Sequence, residues 1–198
     1  MRSVDHSASR FCQEISSLLA SRTPRKLVLE HHGRAAVLIP IFQRNKERFF
    51  LLTRRTQKVE THKGEISFPG GMTETESEPL SQTALRETWE EIGLAPSQVR
   101  VLGQFDEYPS INGLIVTPFV GWIEPPVGLS PSPDEVEEVL EVPFSLFQDK
   151  TNRRVEIRKR LGQDSPVYFY RYQGREIWGL TARIIRDFLI LIGTIEDN

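Results

Sequence analysis

The residues from 70 to 94 constrain this chain more than any other stretch. A glycine pair, Gly70 and Gly71, opens a turn; Pro79 suits a first helical position, Ser77 or Glu78 can cap it, and Gly93 is placed to stop the helix. At roughly 100° per residue, Leu80, Ala84, Leu85, Thr88, Trp89 and Ile92 fall on one half of that helix, which predicts a core-facing side. Glu87, Glu90 and Glu91 crowd into an arc of roughly 100° beside it. Like charges at i, i+3 and i, i+4 repel, so the spacing asks for a counter-charge. Two answers stand on the residues alone. One is a solvated acidic face paired off by Arg86 and surface cations. The other is a hard divalent cation on oxygen ligands, with water and phosphate completing the shell, which suits Mg2+ or Mn2+ better than Zn2+.

The same stretch resembles the signature of the Nudix hydrolases, G-x5-E-x7-R-E-U-x-E-E-x-G-U, with U a bulky apolar residue. Gly71, Glu78, Arg86, Glu87, Glu90, Glu91, Gly93 and Leu94 stand at the matching positions. It departs from the signature in having six residues between Gly71 and Glu78, and in placing Thr88 where an aliphatic side chain is usual. The resemblance implies that Glu87 and Glu91 are the main metal ligands, with Glu90 assisting and the Gly71 carbonyl as a further ligand. Arg86 would orient the carboxylates, and the catalytic set would be Glu91, Glu90 and Arg86. The implied reaction is hydrolysis of a nucleoside diphosphate linked to another moiety. In such phosphoryl transfer, metal ions neutralise the phosphate oxygens and a water attacks in line. A glutamate of the cluster or of a later loop would serve as general base.

Residues 51–71 resemble the motif that precedes this signature in the coenzyme A diphosphatase branch, L-L-T-x-R-[SA]-x3-R-x3-G-x3-F-P-G-G. Leu51, Leu52, Thr53, Arg55, Gly64, Phe68, Pro69, Gly70 and Gly71 match. Thr56 replaces the small residue, and Glu60 replaces the second arginine. Coenzyme A carries a 3'-phosphate beside its diphosphate, and phosphates favour guanidinium partners. A glutamate in contact range would repel it by on the order of 1 kcal/mol. Arg54, Arg55, Lys58 and Lys63 lie nearby to compensate, and the expected substrate contacts are Arg54, Arg55, Lys58, His62, Gly70 and Gly71. On composition alone this stretch also reads as a basic solvated loop, and His62 as an exposed histidine.

The rest of the chain is organised around these two stretches. Residues 8–20 carry Phe11, Ile15, Leu18 and Leu19 at helical spacing, a packing helix outside the catalytic unit. Residues 35–42 and 48–54 read as a hairpin, in which Pro40 faces an unpaired edge or a bulge. Residues 99–107 and 114–124 read as two strands, and residues 116–121 again resemble the coenzyme A branch. A proline-rich loop then leads to residues 134–143, an alternating strand with acidic residues on one side. There the resemblance makes Glu135 the candidate for an extra metal ligand or base, whereas charge pattern alone makes it solvated surface. A short helix at 143–148, a hairpin of 153–160 with 167–172, and a helix carrying Ile184, Ile185, Phe188, Leu189, Leu191 and Ile192 complete the pattern. Residues 176–183 resemble the closing segment of the same branch.

Strands alternating with few helices predict an α+β fold. The resemblance implies the Nudix α/β/α sandwich with a mixed central sheet between helices. The expected organisation is a helical extension at 1–33, the hydrolase domain at 34–192 and a tail at 193–198.

Length and charge agree with this reading. The 198 residues suffice for one domain with a substantial core, and a net charge of -2 offers no global attraction to nucleic acid or anionic membrane. Cys12 is the single cysteine, so no internal disulfide can form. The opening residues lack a secretory pattern, and the longest apolar run, residues 188–192, is far short of a bilayer span. A cytoplasmic location is expected. The expected partner is a small-molecule nucleotide substrate, with a homodimer left open and neither nucleic acid nor membrane involved. The leading expectation is cleavage of coenzyme A or acyl-coenzyme A to 3',5'-ADP and (acyl-)4'-phosphopantetheine. The alternatives are a hydrolase of ADP-ribose, nucleotide sugars or nucleoside triphosphates, and a non-catalytic nucleotide-binding regulator.

Overall fold

A computed structural model describes residues 6–29, 33–56, 64–124, 128–160 and 163–197. Helix α1 (His6–Ala20) precedes strands β1 (Gly33–Arg44), β2 (Glu47–Arg55), β3 (Ile66–Ser67) and β4 (Gly70–Met72), then helix α2 (Leu80–Ile92). Strands β5 (Val99–Gln104), β6 (Tyr108–Pro109), β7 (Leu114–Ile123) and β8 (Val136–Pro143) follow, then α3 (Phe144–Gln148). A second sheet is formed by β9 (Arg153–Arg160), β10 (Gln163–Tyr172) and β11 (Arg175–Trp178), before helix α4 (Gly179–Leu191).

The central sheet runs β3-β2-β1-β7-β5, with β4 on β1, β6 on β7 and β8 on β2. It is mixed, because β1 lies parallel to β7 and antiparallel to β2 and β4. Strand β1 changes partner along its length. Its first part pairs with β4 through Ala35, Ala36 and Val37, and its last part pairs with β2 from Ile41 onward. Pro40 lies in the gap between these two partners, where a missing amide removes no ladder bond on that side. The gap is bridged by the Leu38 amide, which donates to the Pro69 carbonyl at 2.9 Å, so the sheet splays around the glycine turn that carries the site.

Alternation along β1 divides the core. Ala36, Leu38 and Phe42 face α2, packing with Ala84, Ile92 and Leu94. Ile39 and Ile41 face the other way, into a cluster with Phe50, Phe105, Phe188 and Leu189. Phe50 sits at the centre of that cluster, stacked on Phe144 at 4.2 Å and edge-on to Phe147 and Phe188. Each fully buried side chain of this size contributes about 1.5–3 kcal/mol. Helix α1 joins the same core through Ala8, Phe11, Cys12, Ile15 and Leu19, with Phe11 against Trp122. The result is a sheet between helices, as expected.

The strand expected at 99–107 ends early, at Gln104. Glu107 turns its carboxylate inward and is 1% exposed. There it accepts hydrogen bonds from Arg34, from Thr117 Oγ1 at 3.3 Å and from the Leu27 amide at 2.6 Å. Asp106 takes the Arg25 amide at 2.7 Å. These two acids hold the arm that follows α1 against the sheet.

Candidate active site

Helix α2 forms because Leu80, Ala84, Leu85 and its glutamates and arginine are strong helix formers, with no interior glycine or proline. It ends at Gly93, whose positive φ of 71° suits glycine and whose amide donates to the Trp89 carbonyl at 2.8 Å. Pro79 is the residue just before the first turn, and no side chain caps it, so neither Ser77 nor Glu78 performs the expected capping. Glu78 has other work. Its carboxylate accepts the Glu74 amide at 2.7 Å and Arg86 Nε at 3.0 Å. The additional residue between Gly71 and Glu78 is thus taken up in a turn closed by Glu78 itself.

The apolar half of the helix is shifted from its expected position. Trp89 is 56% exposed, whereas Thr83, Ala84, Thr88 and Ile92 are buried together with Glu91, which is 4% exposed. Thr88 satisfies its buried hydroxyl on the Ala84 carbonyl at 2.6 Å. Glu91 is buried because the glycine turn and the end of β2 close over that side of the helix. Its Oε2 accepts the Gly70 amide at 3.3 Å, and its Oε1 lies 3.6 Å from Arg55 Nη1.

Two glycines make this approach possible. A Cβ at Gly70 would lie 2.3 Å from the Ala36 carbonyl oxygen, and Gly70 has a φ of 149°. A Cβ at Gly71 would lie 2.4 Å from Glu87 Oε2. Any side chain at Gly71 would occupy the place of the Glu87 carboxylate.

Arg86 organises the outer part of the acidic edge. Its Nη1 donates to Glu87 Oε1 at 2.9 Å and to Glu90 Oε2 at 3.0 Å, while Nη2 donates to the Met72 carbonyl at 3.0 Å. The guanidinium therefore latches the turn at 72–78 onto the helix and leaves Glu87 Oε2 pointing toward Gly71. Hydrogen bonding to Arg86 lowers the Glu78 pKa from the ordinary carboxylate value. Burial does the opposite to Glu87 and Glu91. It raises Glu87, with Arg86 opposing, and pushes Glu91 up to about 8, with Arg55 and the Gly70 amide opposing and Glu135 and Glu87 adding repulsion.

Among the described residues, no three histidine, cysteine, aspartate or glutamate side chains already converge as a metal cage. The donor set nevertheless fits a hard divalent cation. Glu87 and Glu91 are carboxylates whose ionised form is disfavoured by burial and by each other, and a dication reverses that penalty. Glu87 and Glu90 each keep one oxygen that Arg86 does not use.

The two candidate arginines have different surroundings. Arg54 Nη1 donates to Glu137 at 3.3 Å. A bulge in the β2–β8 pairing falls between them, since Arg54 is opposite Glu138 and Arg55 opposite Val136. The unmatched residue is Glu137 of β8; Arg54 and Arg55 are neighbours on β2 and so face opposite sides, Arg55 toward Glu91. Arg55 Nε is buried and has no hydrogen-bond partner among the described residues. Lys58 and His62, with Glu60 and Lys63, lie outside the described residues. Glu135 lies just before β8 and is exposed, on a loop that neighbours the acidic edge.

Acid-lined helix, glycine turn and strand-borne arginine are the arrangement that the resemblance to the Nudix hydrolases leads one to expect. Comparison with known proteins agrees. The NUDIX domain model matches residues 31–161. A protein named Uncharacterized Nudix hydrolase NudL from Photorhabdus laumondii is 40% identical over 164 residues, covering 83% of this chain and 87% of that protein. A protein of the same name from Enterobacter sp. (strain 638) is 35% identical over 191 residues, covering 96% and 95%. A crystal structure of a MutT/nudix family protein from Enterococcus faecalis superposes with a TM-score of 0.54 at 17% identity, covering 98% of this chain and 76% of that one, and supports the fold. The chain belongs to the Nudix family and is a Nudix hydrolase of nucleoside diphosphate substrates; hydrolases of this family generally depend on a divalent metal. Among the described residues no helix is long and apolar enough to cross a membrane.

Proposed function

We propose that this hydrolase acts on coenzyme A or its acyl derivatives, releasing 3',5'-ADP and (acyl-)4'-phosphopantetheine with Mg2+ or Mn2+. The observation that carries the reading is Arg55, which belongs to the coenzyme A branch motif. Its guanidinium sits 3.6 Å from the buried Glu91, and its buried Nε has no hydrogen-bond partner among the described residues. A phosphate placed there would take a charge-assisted hydrogen bond at the mouth of the acidic edge.

Glu87 and Glu91, with the Gly71 carbonyl and Glu90, would hold the metal, and Glu135 is the further candidate. The metal supplies neutralisation of the diphosphate oxygens and acidification of water. The chain's own residues position the reaction. Gly70 and Gly71 let the backbone and the substrate approach, Arg86 fixes the two outer carboxylates, and Arg55 binds phosphate while opposing the rise in Glu91's pKa. A glutamate that the metal leaves free, of the cluster or Glu135 on the later loop, would accept the proton of the attacking water.

Mass spectrometry of products from coenzyme A, ADP-ribose, nucleotide sugars and nucleoside triphosphates tests the substrate. The expected result is 3',5'-ADP from coenzyme A at the highest kcat/KM. A higher kcat/KM for ADP-ribose, a sugar nucleotide or a triphosphate overturns it and favours the second reading, which Glu60 supports by standing where an arginine would meet the 3'-phosphate. A silent regulatory module is disfavoured, because Arg86, Glu87, Glu90 and Glu91 retain a repulsive cluster with no use in mere binding.

A further inference from the structure

The loop before β8 is held at both of its ends by parts of the site. On the helix side, the Ser132 amide donates to the Glu91 carbonyl and the Ser130 amide to the Ile92 carbonyl, both at 2.8 Å. Ser130 also packs on Gly93, where a Cβ would come within 3.0 Å of it. Within the loop, the Glu135 amide donates to the Ser132 carbonyl at 3.1 Å. On the sheet side, the partner is Thr56, one residue beyond β2 and next to Arg55. Its amide donates to the Glu135 carbonyl at 2.9 Å, and its hydroxyl donates to the Asp134 carbonyl at 3.0 Å. Thr56 is 6% exposed, so these bonds are shielded from water.

Glu135 is therefore no ordinary surface acid. The backbone beneath it is tied to the last turn of α2 and to the end of β2. Its charge also adds to the repulsion felt by Glu87 and Glu91. Serine or alanine in place of Thr56 would fill less of this buried corner, and alanine would lack the second bond.

We propose that Thr56 is a positioning residue that acts through Glu135: its hydroxyl and amide hold residues 134 and 135 so that the Glu135 carboxylate stays within reach of the acidic edge of α2. The proposal rests on the reading of that edge as the metal site. It assigns no contact with substrate to Thr56.

The test is a double-mutant cycle between Thr56→Val, which removes the hydroxyl while keeping the branched shape, and Glu135→Gln, with Thr56→Ser as the rescue. Two quantities are read in each protein: the kcat and KM for the best substrate of the panel, and the affinity for Mn2+ alone, by titration. Thr56→Val is expected to lower kcat and weaken Mn2+ binding by about 10-fold each, with KM within about twofold, as supporting residues of metal sites do. Thr56→Ser is expected to restore both. In the Glu135→Gln background Thr56→Val is expected to change neither further. The proposal is overturned if Thr56→Val matches the parent protein in both readouts, if it loses the same factor in the Glu135→Gln background, or if serine fails to restore what valine removes. Failure of the metal-site reading looks different: the parent protein itself then binds no Mn2+.

Discussion

Arg55 Nη1 lies 3.6 Å from Oε1 of Glu91, so the most buried acid of the helix faces a cation delivered by another element, the end of β2. Arg55 compensates part of the burial cost of Glu91, and its buried Nε has no hydrogen-bond partner among the described residues; the proposed role gives this guanidinium a phosphate. Removing it should therefore affect binding more than folding. Arg55→Met is expected to lower kcat/KM by about 100-fold or more, mainly through KM, because a charge-assisted pair to an anion is lost. Arg55→Lys should recover only part, since a point charge replaces a planar fork. Steady-state kinetics checks both variants.

The raised pKa of Glu91 makes a statement about stability. Below about pH 4.5, its ordinary value, the carboxyl is protonated in folded and unfolded chains alike and contributes no pH dependence. Between about 4.5 and about 8 the folded protein keeps a proton that the unfolded chain has released, so stability falls as pH rises. The full penalty above that window is on the order of 3–5 kcal/mol. Thermal unfolding in a chelator should show Tm falling from pH 5 to pH 8. Glu91→Gln should flatten that slope while abolishing turnover. Added Mg2+ should raise Tm most at the alkaline end, where the carboxylate is most costly to keep ionised. An unchanged slope in Glu91→Gln, or full activity in it, would contradict the assignment.

Gly71 is expected to tolerate no side chain. In Gly71→Ala the new methyl would meet the Glu87 carboxylate at 2.4 Å, and Glu87 must swing away. Because Glu87 is a partly exposed end of a flexible side chain, the fold should survive with a cost of about 1–2 kcal/mol. The kcat should fall by about 100-fold, since a displacement of about 1 Å at a metal ligand suffices for that. Activity and circular dichroism on the same sample separate the two effects.

Glu107 is expected to matter for stability and not for chemistry. Its carboxylate gathers Arg34, Thr117 and the Leu27 amide in a nearly dry setting. Glu107→Ala leaves those donors without their acceptor and should cost about 3 kcal/mol in denaturant unfolding, in the range found for broken buried pairs. The KM of the folded variant should be unchanged.

The helix with its acidic edge, its glycine stop and the longer strands β1, β2, β7 and β8 were legible in the sequence because they are local patterns, whereas the short strands β3, β4, β6 and β11 and the order of the sheet were not. What was not legible depends on neighbours distant in the chain. Trp89 was expected in the core by periodicity, yet it is exposed, and Glu91 lies deeper than its place on an acidic edge suggests. The reason is that β4 and the end of β2 cover the helix on the side of Glu91, a fact of tertiary packing that helical spacing does not encode. The glycine pair was the available hint, since a turn without side chains invites a close approach. Glu107 could not be found by pattern, because a single acid after a strand reads as surface. Arg54 meets Glu137 and Arg55 meets Glu91, because neighbours on a strand face opposite sides; which side would carry the acid was not legible, since Glu91 comes from a distant helix.

The central claim is that the edge of α2 holds a divalent metal between Glu87 and Glu91. Anomalous diffraction from crystals soaked in Mn2+ tests it most directly. A peak bounded by Glu87, Glu91 and the Gly71 carbonyl is expected, lost in Glu91→Gln crystals soaked in the same way. A Mn2+ peak at another place, or Glu87 and Glu91 splayed apart with none between them, would contradict it.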